Sequence, residues 1–155
     1  MPIPAGLGNA ELPDWAPVRE NVADYVPHRT LKKTTATTTA GQDVYGLTFD
    51  GTTRPTGSAV DRLIRDGITY VTGRLPALPA GQEATAGLIA TLYAASAVER
   101  SWPHDDQSLQ RATDMEKRME SLMAGLVEAA GPSRGDNLLP AWSFPTPAPW
   151  GDDLL

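Results

Sequence analysis

Between residues 56 and 130, apolar side chains return every three or four positions, the spacing that gathers them on one face of a helix. Val60, Leu63, Ile64, then Ile68 or Val71, and Leu75 predict one helix over 57–75, with Thr56 or Ser58 as its cap and Pro76 and Pro79 as its stop. The run AGLIATLYAASAV predicts a second over 82–102 that is apolar nearly all round and therefore enclosed by other helices; Pro103 ends it. Leu109, Ala112, Met115, Met119, Leu122, Met123 and Leu126 predict a third, starting at Asp105 or Asp106 and closed by Gly131–Pro132. A shorter helix is expected over 14–25, capped by Asp14, with Pro17 in its first turn and Trp15, Val18, Val22 and Val26 on one stripe.

Two stretches break this rhythm. Residues 30–53 are Thr-rich, including TTATTT at 34–39, and Tyr45, Leu47 and Phe49 alternate with polar or small residues as in a half-buried strand. An extended loop or irregular β-hairpin is expected there, and a loop of this length in a compact domain calls for a function. The last stretch, residues 132–155, holds five of the fourteen prolines yet carries Leu138, Leu139, Trp142, Phe144, Trp150, Leu154 and Leu155. A polar, proline-rich segment cannot bury two tryptophans by itself, so it must dock on its own helices or on another chain.

The fold expected is mainly all-α. Three longer helices and a short N-terminal one form a small bundle over residues 14–131, with an extended loop or hairpin at 30–53, an N-terminal arm (1–13) and an extended C-terminal arm (132–155). At 155 residues the chain has the length of one domain, and with 6% aromatics its core must rest on Ala, Leu, Val, Ile and Met.

Charge and chemistry narrow the function classes. Thirteen Lys and Arg against nineteen Asp and Glu give a net charge of −6, unfavourable for a general nucleic-acid binder, which needs clustered cations at phosphates. Most of the imbalance lies late: residues 101–155 carry four cations and nine anions. Without cysteine there is no disulfide framework, thiolate metal site or Cys nucleophile. No apolar run approaches the ~18 residues of a membrane span, and the opening MPIPAGLGNAELPDW lacks a basic region followed by an apolar one, so a soluble, non-exported chain is expected.

No HExxH, EF-hand, Walker, dinucleotide or GxSxG pattern occurs. His104–Asp105–Asp106 reads as helix capping rather than metal binding, Ser96 and Ser101 as packing residues, and Glu99–Arg100 as the point where the apolar helix emerges into water. Arg134–Gly135–Asp136 is too short a match to an adhesion tripeptide to carry meaning. His28, Arg29, Lys32 and Lys33 form the one basic cluster, either a solvated loop edge or a contact for an acidic partner. Along the last long helix, Asp114 is expected to pair with Lys117 or Arg118; on the 57–75 helix, Asp61 with Arg65 and Arg62 with Asp66. No catalytic, cofactor-binding or metal-binding residue is identified, and no cofactor is implied.

DWAPVRENVADYVPHRT (residues 14–30), then TFDGTTRPTGSAVDRLIRDGITYV (48–71) and ATLYAASAVERSWP (90–103), resemble the head-to-tail connector, or adaptor, proteins of long-tailed double-stranded DNA phages, above all those infecting actinobacteria. The resemblance covers about residues 14–130; the Pro/Trp arm departs from the family's pattern. It implies a non-enzymatic virion protein that forms a ring, typically twelve-fold, beneath the portal protein at the head–tail neck, having assembled in the host cytoplasm. Neighbouring copies, the portal and a further head-completion or tail protein are the partners implied, with DNA passing non-specifically through the channel and no membrane. Arg29, Lys32, Lys33, Tyr45, Leu47, Phe49, Trp142, Phe144 and Trp150 are the expected partner contacts. A small helical DNA-binding regulator of a phage is the alternative.

Overall fold

The computed structural model describes residues 11–32, 44–45 and 48–131. Along them run α1 (Arg19–Tyr25), a 3-10 turn (Pro27–Arg29), β1 (Leu31–Lys32), β2 (Val44–Tyr45), α2 (Gly57–Arg74), α3 (Glu83–Ser101) and α4 (Ser108–Ala130). The fold is mainly all-α, a small helical bundle. The extended region contributes one minimal antiparallel ladder, with Leu31 opposite Tyr45 and Lys32 opposite Val44.

Helix α3 is the central element, packed on α2, α4 and α1. Its Ala86, Ile89, Ala90, Leu92, Ala94, Ala95 and Val98 are all fully buried, as an all-round apolar helix requires. On one side Val22, Val26, Phe49, Val60 and Ile64 close over Ala90, Ala94 and Val98. On the other, Val71, Leu75, Met119, Met123 and Leu126 meet Ala86, Ile89 and Leu92. The Met stripe of α4 is therefore core.

Small residues set how closely these helices approach. A Cβ added to Gly67 of α2 would stand 2.8 Å from the Ala90 carbonyl oxygen and 3.1 Å from its Cα, whereas Gly73, six residues along the same helix, faces open space. Gly67→Ala should therefore force α2 and α3 apart at a loss of about 1–3 kcal/mol. Gly73→Ala should instead gain about 0.5–1 kcal/mol from helix propensity alone. Denaturant melts of the two variants check the opposite signs; a Gly67→Ala protein as stable as the parent would contradict this packing.

Several ends and faces differ from expectation. Helix α1 begins at Arg19, not after Asp14: Pro13–Ala16 forms a separate turn, and buried Pro17 precedes the helix. Its first turn is closed from within by Asn21, whose side-chain oxygen accepts the Val18 amide at 2.9 Å. Val18 is consequently not on the core stripe; it is 55% exposed. Helix α4 begins at Ser108, because Asp105 and Ser108 hold residues 104–107 in a turn: the Ser108 hydroxyl accepts the His104 and Asp105 amides, and the Asp105 carboxylate accepts the Gln107 amide. Leu109 thereby leaves the core face and is 54% exposed. Asp114 takes its hydrogen bond from Gln110, not from Lys117 or Arg118. Asp61 receives Arg19 of α1 through paired bonds of 2.7 and 2.6 Å instead of pairing with Arg65.

Candidate functional site

Glu99 lies on the stripe that continues Leu92 and Ala95, so the helix that buries those residues carries a carboxylate inward with them. It is fully buried, which corrects the reading of Glu99–Arg100 as the point of emergence; Arg100 alone reaches solvent, where it grips Glu116 of α4. A buried carboxylate must be paired and hydrogen-bonded to remain charged. Two elements supply three partners. The 3-10 turn brings Arg29, with Nε 3.3 Å from Glu99 Oε1 and Nη2 3.4 Å from Oε2. Helix α4 brings Arg111 Nη2 at 3.1 Å from Oε2 and 2.9 Å from Asp105 Oδ1. His28 sets Nε2 2.6 Å from Oε1, close but off the line of a good hydrogen bond.

Two guanidiniums and two carboxylates balance one another, which leaves no charge for the imidazole to answer. Burial, reinforced by the two arginines against the pull of Glu99, lowers the His28 pKa below its ordinary 6.5. Burial pushes the Glu99 carboxyl up, but the hydrogen bonds and charges of Arg29 and Arg111 outweigh that push and hold it below the usual range. Asp105 is lowered to about 2, chiefly by Arg111 and also by Ser108 and the Gln107 amide.

Each of these shifts has the same linkage sign. The unfolded chain binds more protons, so stability is complete above the unfolded pKa and falls as pH drops toward the folded one. Stability should begin to fall below pH 6.5 through His28, and fall again between 3.8 and about 2 through Asp105. Urea midpoints measured from pH 7.5 to 2.5 should trace both declines, and His28→Gln should remove the first. A His28→Gln profile that matches the parent between pH 7.5 and 5 would reject the assignment.

The cluster fixes the place where the chain leaves the bundle. Arg29 also donates through Nη2 to the Trp102 carbonyl, an acceptor freed by the end of α3 and favoured by the negative end of its dipole. Two residues later the chain enters β1. Its return is fixed as firmly: Phe49 is fully buried in the core, its carbonyl accepts Arg19 Nη1 at 3.4 Å, and Asp50 closes a turn with Thr52 and Thr53. Arg19 and Arg29 thus clamp the two roots of the segment between residues 30 and 49.

Two expected partner contacts are therefore spent inside the chain. Arg29 has a side chain only 7% exposed, turned onto Glu99, and Phe49 is core; His28 leaves the basic cluster in the same way. Lys32 and Tyr45 stand in the short ladder by their backbones. Lys33, Leu47, Trp142, Phe144 and Trp150 lie outside the described residues. The capping expected of His104–Asp105–Asp106 is replaced by a turn: α4 starts at Ser108 with no side-chain cap, and Asp105 accepts the Gln107 amide ahead of it, while Ser96 packs against its own helix, its hydroxyl donating to the Tyr93 carbonyl. Ser101, expected to pack, is exposed.

A second feature, toward the other end of α3, escaped sequence reasoning. A groove of about 410 Å³ runs between α1 with its preceding turn and the first half of α3, lined by Trp15, Tyr25 and Leu88 and flanked by Asp24 and Glu83. Gly87 permits it: a Cβ there would stand 2.7 Å from the Trp15 carbonyl oxygen. Among the described residues no group of three or more His, Cys, Asp or Glu is placed to hold a metal ion, and no helix is long and apolar enough to cross a membrane. Comparison with family models, curated proteins and solved structures gave no match to this chain.

Proposed function

We propose that the chain is a structural joining protein, a head-to-tail connector that forms a ring beneath a phage portal, extends its DNA channel and docks the next connector or tail component. The supporting observation is the double clamp on the extended segment. Arg29 on Glu99 and Arg19 on Asp61 fix both roots of a Thr-rich stretch to a rigid helical body. Fixed roots lower the entropy lost when such a stretch adds to a neighbour's strand edge or loop. Contacts of this head-to-tail kind close into rings when the rotation between copies closes. The resemblance of residues 14–130 to phage connectors supplies the biological setting, the virion neck. On this reading Lys32, Lys33, Tyr45 and Leu47 serve neighbouring subunits and the portal, and the chain joins rather than catalyses.

The test is assembly. Purified chain mixed with the portal protein of the same phage should give stacked rings in negative-stain electron micrographs. Deleting residues 132–155 should keep the helical circular dichroism and abolish the complex. Portal particles unchanged after mixing with the intact chain would reject the proposal. A salt-sensitive shift of duplex DNA would instead favour the regulator, for which exposed Arg62 and Arg65 of α2 would be the phosphate contacts.

A further inference from the structure

We propose that the groove between α1 and α3 is a binding site for polyproline-type peptide, and that its occupant is the proline-rich stretch of this chain's own C-terminal arm, residues 140–149. Two observations converge on that occupant, and neither depends on the connector reading.

The first is chemical fit. The groove presents Trp15 and Tyr25, each half-buried, with Leu88 between acidic flanks formed by exposed Asp24 and Glu83. Aromatic walls that accept proline rings are the recurring means of binding a polyproline helix, which arrives already ordered. The sequence PAWSFPTPAP at 140–149 contains Pro140, Pro145, Pro147 and Pro149, and each proline holds the residue before it extended. The floor along α3 from Glu83 to Thr91 is about 12 Å long at 1.5 Å per residue, the length of about four polyproline residues at 3.1 Å each.

The second is position. Met123 and Leu126 of α4 share a cluster with Ala86 and Ile89 of α3, so α4 ends at the same end of the bundle where α3 begins and the groove opens. Residues 132–139 span up to about 26–29 Å when extended, well beyond the 8–10 Å between neighbouring helix axes. The arm is therefore long enough to reach the groove of its own subunit. A linker this short maintains an effective concentration of about a millimolar, so a weak site is filled from within the chain before a second copy competes.

The chain has no cysteine, so an introduced pair reports on itself alone. In the full chain, Ala84→Cys with Thr146→Cys should close to a disulfide within one subunit under mild oxidation, at least about tenfold faster than a control pair of Arg62→Cys with Thr146→Cys. Non-reducing gels and the mass of the intact chain read the product. Leu88→Lys should slow closure about tenfold. So should the triple substitution P145G/P147G/P149G, which leaves every groove residue in place. Equal rates for the test and control pairs would overturn the proposal, as would closure indifferent to both variants. A product of twice the chain mass would also overturn it, by identifying a second copy as the occupant.

Discussion

Glu99→Ala should destabilise the protein by about 3–5 kcal/mol, because it leaves Arg29, 7% exposed, and Arg111 without the carboxylate that compensates them. Glu99→Gln, with nearly the same shape, should recover little of that loss, since an amide cannot neutralise two guanidiniums. The contrast lies one residue away. Arg100 and Glu116 form paired bonds of 3.0 and 2.6 Å, but at the surface, so Glu116→Ala should cost less than about 1 kcal/mol. Denaturant unfolding of the three variants measures the difference. A Glu99→Ala protein within 1 kcal/mol of the parent would show that the cluster does not anchor the turn at Pro27–Arg29. Hydrogen exchange at Thr30 and Leu31 should quicken in the same variant, because the root of the extended segment is then released.

Phe49→Ala should lose about 3–5 kcal/mol, the cost of emptying a fully buried aromatic position among Val22, Val26 and Val60. The outcome separates two roles for this residue. A side chain reserved for a partner would leave the free protein's stability unchanged when removed, and a melt coinciding with the parent's would restore that role. The predicted loss marks Phe49 as the peg that returns the chain to the bundle. Phe49→Leu, which fills most of the space, should cost less than half as much.

These residues also mark how far the sequence could be read. Helices α2, α3 and α4 were legible because their period is local: Val60, Ile64, Ile68 and Val71 fall on one face whatever the partner, and Pro76, Pro79, Pro103 and Gly131 stop elongation through their own backbone chemistry. The helix starts at Arg19 and Ser108 were less legible, since each end offers two polar side chains of similar capping strength, Asp14 and Asn21 at one and Asp105 and Ser108 at the other, and the sequence does not say which sets the boundary. Ion pairs on α2 and α4 were misplaced for a related reason. A helix surface offers i,i+4 partners worth a few tenths of a kcal/mol, and Arg19 outbids Arg65 for Asp61 through two short, aligned bonds.

Glu99 shows where local reading ends. Its spacing after Leu92 and Ala95 put it on the buried stripe, a signal available in the sequence, but a charge at that position made sense only once Arg29, seventy residues earlier, and Arg111, twelve later, were brought to it. The groove was less visible still, because Trp15, Tyr25 and Leu88 form a surface only when Gly87 lets two elements touch. Periodicity, proline and glycine thus determined which segments are helical, since those preferences act between near neighbours. Burial of a charge, the clamping of both roots of the extended segment and the shaping of a groove depend on distances between remote parts of the chain, and only the packed bundle sets those.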